Sequence, residues 1–390
     1  MFSIRTNWDR TTNLLSEALA RHRAAGRPLI DLSASNPTEC SFDYDNYAII
    51  RALCAPGVLR YHPDPCGLPM ARSAVAGYYV AHGGQIAIED MVLTTSTSEG
   101  YSFVFRLLCN PGDELLIPSP SYPLFDFLAG LQDVSLKPYP LVYDHGWQID
   151  FHALEQAITS RTRGVIVVHP NNPTGHFTKA SELAALNRIC QSHDLALIAD
   201  EVFLDFPLGN DTGGREKPFS FSANQAAPTF TLSGLSKISG LPQMKLAWLV
   251  VSGPESWKRE ALARLEVIAD TYLSMNAPVQ LAAPVLLEQR HRFQKQLLER
   301  VRRNLDELDR QLSTQKHCNR LHVEGGWYAV LRIPAIRSDE DFALELLEKH
   351  DVYLHPGHFY DFHREGHMVV SLITPEKDFL VGVRRAIESF

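Results

Sequence analysis

"TLSGLSKISGLPQMKLAW", Thr231 to Trp248, joins two apolar strands through a turn that is rich in serine and glycine. The first strand, "TFTLS", ends just before the turn, and the second, "KLAWLVV", begins at its end. The turn carries Lys237, and Lys245 follows in the second strand. A lone lysine near a turn is usually a solvated cation. A tight turn between two strands allows another interpretation, in which Lys237 is held in place because its amine must react.

The chain around this stretch alternates short apolar strands with helical segments, from about Met91 to Val251. The strands, among them "MVLTT", "ELLIP", "GVIVVH" and "LALIAD", are nearly continuous apolar runs rather than strict alternations of apolar and polar residues. Such runs are typical of a mostly parallel sheet that helices cover on both faces. We therefore predict an α/β fold with a central sheet of this kind.

The ends of the chain have a different pattern. A first helix is predicted over Thr11 to Ala25, stopped by Gly26, and a helical stretch from about Glu255 to Leu312 precedes a mixed α+β region. A chain of 390 residues exceeds the usual size of a single core. We predict an N-terminal segment (1–45) that joins a small domain, a large domain (46–275) and a small C-terminal α+β domain (276–390).

The composition favours a small-molecule partner. The formal net charge is −8, whereas binding of nucleic acid normally needs a basic face. The first residues, "MFSIRTNWDR", lack the apolar core of a signal peptide, and no apolar run approaches bilayer length. The six cysteines include no C-x-x-C pair, so neither a disulfide framework nor a zinc site is indicated. We expect a cytoplasmic protein with no membrane or nucleic-acid partner.

Polar groups of complementary kinds follow successive strands. Ligands of an open parallel sheet bind outside the carboxyl ends of the strands. The groups found there are the hydroxyls of Thr97 and Ser98 at a helix start, the amides of Asn171 and Asn172, the carboxylate of Asp200 and the amine of Lys237. Each has a structural alternative: an N-cap, a turn, a cap of the next element and a solvated cation, respectively. Their convergence on one sheet edge favours a ligand site with a phosphate cradle.

Eight stretches in chain order resemble the pyridoxal-phosphate-dependent aminotransferases of the aspartate aminotransferase superfamily, which are fold-type I, class I/II enzymes. They are "RYHPDPCGLPMAR", "TSTSEGYS", "PSPSYP", "HPNNPTG", "LIADEVF", "SGLSKISGLPQMK", "VEGGWYAVL" and "HPGHFY". The resemblance implies that an amino group moves between an amino acid and a 2-oxo acid. It also implies a homodimer with the active site at the subunit interface.

The resemblance also implies individual roles. Lys237 is expected to bind pyridoxal 5′-phosphate as a Schiff base and to carry the proton at the substrate Cα, while Asp200 keeps the pyridine nitrogen protonated. A lysine with an ordinary pKa is a poor nucleophile at neutral pH, so a desolvated or cation-rich setting is required. The other expected cofactor ligands are Thr97, Ser98 and Ser236 on the phosphate, Lys245 at a position usually held by a phosphate-binding arginine, Tyr122 on the ring face, Asn172 on O3′, and Tyr61 on the neighbour's phosphate.

Three positions depart from the family pattern. Lys245 replaces an arginine, which removes a bidentate fork. Phe203 replaces a tyrosine that donates to O3′. The arginine that binds the substrate α-carboxylate is missing from Met368–Val370, and its two charge-assisted hydrogen bonds are too strong to lose without a substitute. Either another cation takes this role, with Arg332 and Arg364 as unranked candidates, or the substrate differs.

Other functions fit less well. The missing arginine favours, as an alternative, a pyridoxal-phosphate-dependent lyase or synthase of the β-elimination type. A ligand-sensing regulator on this fold would need a DNA-binding domain, for which we find no room before the cofactor domain. No G-x-G-x-x-G motif follows the first strands, which disfavours an NAD-dependent oxidoreductase. The histidine cluster formed by residues 355, 358, 363 and 367 indicates a solvated loop rather than a metal site.

Overall fold

The computed structural model describes residues 1–209, 218–273 and 275–390. The helices of these ranges are α1 Leu14–Ala24, α2 Asn46–Leu53, α3 Pro69–Val80, α4 Thr97–Leu108, α5 Phe125–Gly130, α6 Phe151–Gln156, α7 Ala180–His193, α8 Leu235–Ile238, α9 Glu255–Thr271, α10 Ala277–Glu288, α11 Arg290–Leu312, α12 Asp339–His350 and α13 Glu376–Ser389. The strands are β1 Ile30–Asp31, β2 Met91–Thr94, β3 Glu114–Ser119, β4 Ser135–Tyr143, β5 Trp147–Ile149, β6 Thr162–Val168, β7 Ala196–Asp200, β8 Thr229–Gly234, β9 Ala247–Ser252, β10 Asn319–Arg320, β11 Tyr328–Arg332, β12 Val352–Tyr353, β13 His355–Pro356 and β14 His367–Ser371.

The central sheet confirms the predicted architecture. Its strand order is β2-β9-β8-β7-β6-β3-β4-β5. The pairs from β8 through β4 are parallel, β9 is antiparallel to both of its neighbours, and β5 is antiparallel to β4. Successive side chains of a strand point to opposite faces, so a strand covered on both faces is apolar throughout. Accordingly, Ile198 of β7 packs with the core beneath α4 and α9, whereas Leu197 packs with the core beneath α7.

A second body is formed by the C-terminal residues. Its antiparallel sheet has the order β10-β11-β14-β13 and packs with α11, α12 and α13. The N-terminal segment joins this body, because β1 pairs in parallel with β12, Ile30 opposite Val352, and α1 packs on α12. Helix α10 packs on α2 and α3, beside the central sheet. The domain limits at 45 and 275 remain a prediction.

Two further properties bear on the location and chemistry of the chain. None of the helices in the described ranges is both long enough and apolar enough to cross a membrane. All six cysteines are free thiols, and three of them, Cys40, Cys190 and Cys318, are buried. Burial raises the pKa of the Cys40 thiol to about 11, which keeps it protonated and unreactive at neutral pH.

Gly175 fixes the loop after β6 against the segment that leads into β11. Its φ of +72° lies in the left-handed region that favours glycine. A Cβ at this position would lie 2.4 Å from Cγ2 of Val323 and 2.6 Å from the carbonyl oxygen of Gly325. Backbone therefore approaches backbone where the central sheet meets the C-terminal body.

We expect Gly175→Ala to lower the free energy of unfolding by about 1–3 kcal/mol, because the new methyl group overlaps backbone and the left-handed φ is strained. Gly77→Ala is the matched control. Gly77 is exposed within α3 and a Cβ there would meet nothing within 4 Å, so the control should raise stability by about 0.5–1 kcal/mol. Urea denaturation measures both, and an equal effect of the two substitutions would contradict this account.

Candidate active site

One cavity of about 450 Å³ opens at the carboxyl ends of the parallel strands. Strands β2, β6, β7 and β8 each deliver polar residues to it, directly or through the loop that follows. Eight of the nine residues predicted from the sequence line it: Thr97, Ser98, Tyr122, Asn172, Asp200, Ser236, Lys237 and Lys245. The tertiary structure thus brings together groups that are far apart in the chain.

Lys237 lies on the short helix α8, directly after β8. Its Nζ is 3.4 Å from the carbonyl oxygen of Ser35 and 5.1 and 5.8 Å from the ring centroids of Trp327 and Phe203. Burial lowers the pKa of this amine to about 8, while the negative charge of Asp200 opposes the shift. The amine is therefore in a desolvated environment. This is one of the two environments, desolvated or cation-rich, that a reactive lysine was expected to need.

Asp200 ends β7 and is buried. Burial raises its pKa to about 6, against three opposing contacts that favour the charged form. The backbone N–H of Val202 donates to Oδ1 at 3.1 Å, the hydroxyl of Tyr101 donates to Oδ2 at 3.1 Å, and Lys237 supplies a positive charge. The carboxylate is thus fixed in orientation and stands beside the lysine in the same cavity.

The start of α4 forms a cradle of donors. Ser96 is the N-cap, because its Oγ accepts from the backbone N–H of Glu99 at 3.1 Å, so capping is not the role of Ser98. Thr97 and Ser98 occupy the first helical positions, whose N–H groups point out of the helix end. Within the described residues, the side chains of Thr97, Ser98, Ser236 and Lys245 make no hydrogen bond. This end of the cavity therefore presents free donors suited to an anion.

The two asparagines after β6 have different environments. Oδ1 of Asn171 accepts from the backbone N–H and the hydroxyl of Thr174, at 3.2 and 2.7 Å, which holds the turn. Asn172 lines the cavity, and its buried Oδ1 has no hydrogen-bond partner among the described residues. One end of the Asn172 amide is therefore free to bind a ligand. Tyr122 also lines this cavity.

Tyr61 does not line this cavity. It lies beside a second cavity of about 290 Å³, between Arg60 and His62, and the start of α10 forms the opposite wall. Its side chain is 76% exposed. Within one chain, Tyr61 is therefore separate from the other predicted site residues.

Neither candidate for the missing arginine reaches the cavity. The guanidinium of Arg332 lies over the ring of Tyr143, and the described residues that line the cavity include neither Arg332 nor Arg364. Indeed, that lining contains no arginine at all. Neither residue is therefore placed within this subunit to replace the missing arginine in the cavity.

The structure adds residues that the sequence did not single out for the site. Tyr101 holds Asp200, although it reads as an ordinary apolar position of α4. His355 lines the cavity from β13, whereas the sequence grouped it with a solvated loop. Trp327 is fully buried and packs on Phe203, and the Lys237 amine lies over its ring, but Trp327 does not itself line the cavity. Only tertiary contacts distinguish these residues from core positions.

The other histidines of the cluster have separate partners. Nε2 of His363 is 3.2 Å from Oγ of Ser119, and the ring of His367 stacks on Phe362 at 4.6 Å between centroids. In the part of the chain that the structure describes, no group of three histidine, cysteine or acidic side chains could hold a metal ion.

Comparison with known proteins identifies the family. The model of the family "Aminotransferase class I and II" matches residues 28–378. The chain belongs to the class I and II aminotransferases. It is 30% identical over 278 residues to glutamate-pyruvate aminotransferase AlaA of Escherichia coli K12, covering 70% of this chain and 67% of that protein. It is 27% identical over 378 residues to the alanine aminotransferase of Mycobacterium tuberculosis, covering 94% and 86%.

Solved structures agree with this assignment. An aminotransferase from Escherichia coli superposes with a TM-score of 0.86 at 25% identity, covering all of this chain and 98% of that one. The family resemblance, the fold-type I architecture and the enzyme class predicted from the sequence are confirmed. Amino-group transfer is the function that the relatives support, rather than the lyase alternative. This aminotransferase therefore carries its candidate site where open α/β sheets place their ligands.

We expect Asp200→Asn to stabilise the cofactor-free aminotransferase at pH 7.5 by on the order of 3 kcal/mol. The pKa of Asp200 is about 6 in the folded protein and near 3.9 in an unfolded chain. At pH values between these two pKa values, the carboxylate therefore takes up a proton when the chain folds. The native state thus loses stability as pH rises from about 4 to 6, and the substitution removes this loss. Its benefit should disappear near pH 4.

Thermal unfolding at the two pH values measures the effect. Asp144→Asn, at a side chain that is 86% exposed, is the control and should change stability little at either pH. A gain for Asp200→Asn that is equal at pH 4 and 7.5 would show that burial of the carboxylate is not its source.

Proposed function

We propose that this chain is a pyridoxal 5′-phosphate-dependent aminotransferase in which Lys237 is the catalytic residue and the cofactor occupies the main cavity. It moves an amino group between an amino acid and a 2-oxo acid. The observation that carries the proposal is the juxtaposition, in one cavity, of a half-buried amine with a pKa of about 8 and a buried carboxylate with a pKa of about 6. Such opposed shifts are typical of acid–base sites.

The side chains that line the cavity fit this cofactor. When bound, pyridoxal phosphate supplies an aldehyde and a pyridinium ring that accepts negative charge from the substrate Cα. The phosphate matches the free donors of α4, Ser236 and Lys245, and the unpaired Asn172 amide matches the ring hydroxyl. Asp200 would hold the ring nitrogen as its anionic partner, and Tyr122 would pack on the ring. These are the roles that the resemblance implied for the same residues.

Lys237 acts through its protonation state. At a pKa of about 8, an appreciable fraction of the amine is neutral near pH 7.5, so Nζ is available as a nucleophile and as an acceptor for the proton of the substrate Cα. The Ser35 carbonyl and the Trp327 ring hold the amine near one position. Phe203 contributes a ring but no hydroxyl, so no side-chain donor replaces the usual tyrosine at that position.

Lys245 differs from an arginine in its geometry. An ammonium is a point charge with three donors that rotate freely, whereas a guanidinium makes two parallel hydrogen bonds in one plane. Lys245 lies at φ +54°, in the left-handed region, after the turn Pro242–Met244. Lys245 and Ser236 both line the main cavity. We therefore assign Lys245 to charge neutralisation of the phosphate.

The purified aminotransferase should be yellow, and borohydride should bleach it and leave the cofactor mass on the peptide that contains Lys237. Lys237→Ala should lose the covalent label and about 10²–10⁴-fold or more of its turnover, because nucleophile and proton acceptor are both removed. The exposed Lys316→Ala is the control and should keep label and rate. An amino acid should bleach the wild-type colour without releasing ammonia. Release of ammonia would favour elimination instead of amino-group transfer. Failure of the protein to bind pyridoxal phosphate would contradict the proposal.

We also propose that two copies form a homodimer whose active sites lie at the interface. Large apolar side chains are exposed on α2 and on the turn Pro56–Leu59, and both of these elements pack on α10. They are Tyr47, Ile50 and Leu59, and the exposed Tyr61 follows the turn by two residues. Exposed apolar side chains grouped in this way are characteristic of an interaction site. The exposed Tyr61 phenol in this surface is then available to the cofactor phosphate of the partner subunit.

Hybrid dimers test this arrangement. Lys237→Ala and Tyr61→Ala subunits are each expected to be weakly active as homodimers, if Tyr61 serves the neighbouring site. In a mixed dimer one site carries both lesions and the other carries neither, so unfolding and refolding the mixture should restore about half of the wild-type rate per hybrid. Sedimentation measures the assembly. Absence of restoration in a proven hybrid would place Tyr61 outside the partner's site, and a monomer would refute the dimer.

For the natural substrates, we propose a class of compound, an amino acid and a 2-oxo acid. The two relatives described above are named for glutamate, pyruvate and alanine, which makes L-alanine and L-glutamate the first donors to test. We propose the cytoplasm as the location, supported by the six unpaired cysteines.

A further inference from the structure

The cavity offers few cationic partners for the carboxylate of a substrate. Among the described residues that line it, the cationic side chains are Lys237 and Lys245, and the proposed function gives both to the cofactor. A buried carboxylate without hydrogen bonds is strongly unfavourable. A donor other than an arginine of this subunit is therefore required on the side of the cavity that faces the C-terminal body.

The sheet of that body shows which residue stands nearest the missing arginine. Val369 lies in the segment where the arginine is absent, and it is buried on β14. Its antiparallel neighbour is His355 on β13, directly opposite in the register. Side chains of opposed residues project from the same face of a sheet. His355 therefore occupies the face from which an arginine at position 369 would project.

His355 is held in one orientation. Its Nδ1 is 3.1 Å from the hydroxyl of Tyr360, and its ring contacts Tyr353 and Phe359, each at 5.4 Å between centroids. Nε2 has no hydrogen bond to any residue that the structure describes. When the Tyr360 hydroxyl donates to Nδ1, the proton of the neutral imidazole lies on Nε2, which then is a donor. In that tautomer the imidazole lines the cavity and has a free N–H.

We propose that His355 binds the α-carboxylate of the amino-acid substrate and replaces the arginine that β14 lacks. This inference rests on the proposed function, because it needs a cofactor-loaded cavity that accepts an amino acid. A single imidazole N–H gives one charge-assisted hydrogen bond where an arginine fork gives two. The aminotransferase therefore distinguishes an amino acid from the corresponding amine through His355, with less affinity than a bidentate contact provides.

The test compares amino acids with amines in the holoenzyme. Each amino acid is paired with the amine that lacks its carboxylate, L-alanine with ethylamine and L-phenylalanine with 2-phenylethylamine, and the absorbance change of the first half-reaction gives an apparent Kd for each. We expect His355→Ala to raise the Kd for the amino acid by about tenfold or more, as loss of a charge-assisted hydrogen bond requires, and to leave the Kd for the amine nearly unchanged. His358→Ala, an exposed residue of the same loop, should keep the wild-type ratio.

Two more variants keep the test decisive. His355→Phe retains an aromatic ring between Tyr353 and Phe359 but has no donor. It should therefore lose the discrimination between amino acid and amine as His355→Ala does. This variant keeps the test valid if the smaller alanine side chain disturbs folding. Adding Val369→Arg to His355→Ala supplies a guanidinium to the vacated space and should recover the preference for the amino acid.

An unchanged ratio of the two Kd values in His355→Ala and His355→Phe would overturn the inference. That result leaves the proposed function intact, since the wild-type holoenzyme still reacts. Failure of the wild-type protein to bind pyridoxal phosphate or to react with any amino acid would instead contradict the proposed function itself.

Discussion

The burial of one amine beside one carboxylate is the constraint on which this site depends. Desolvation lowers the pKa of Lys237 to about 8 and raises that of Asp200 to about 6, so both groups are brought toward neutral pH from opposite directions. Each shift reports an unfavourable environment for the charged form, which a solvated surface would relieve. The fully buried strands β7 and β8 prevent that relief, because they are packed between helices and fix the points at which the two residues emerge.

The two bodies of the chain contribute different parts of the chemistry. The central sheet and α4 supply the donors suited to a phosphate, the acidic residue and the lysine, all at strand or helix ends where backbone geometry is fixed. The C-terminal body supplies Tyr328, His355, Phe359 and Tyr360 to the opposite wall. Contacts at Gly175, and the ion pair of Lys179 with Glu324, join the loop after β6 to the segment before β11. Changes at this junction are therefore expected to affect substrate contacts more than cofactor contacts.

Sequence reasoning succeeded where the signal is local. A polar residue that follows an apolar strand is visible in the sequence, and Thr97, Asn172, Asp200 and Lys237 all have this position. It failed where the contact is distant. Arg332 and Arg364 were considered because they are cations near the right segment, but neither of them lines the cavity. Tyr101 and His355 were not assigned to the site, since a helix interior and a short edge strand give no chemical signal of their own.

The sequence by itself determined the strand and helix pattern, the mostly parallel sheet, the enzyme family and the cluster of polar groups at one sheet edge, because these follow from hydrophobic periodicity and from motifs of adjacent residues. The tertiary structure alone decided that Tyr61 lies outside the cavity of its own chain, that burial lowers the pKa of Lys237, and that His355 stands opposite Val369. Pairing register and desolvation depend on residues brought together from distant parts of the chain, and no short stretch of sequence contains them.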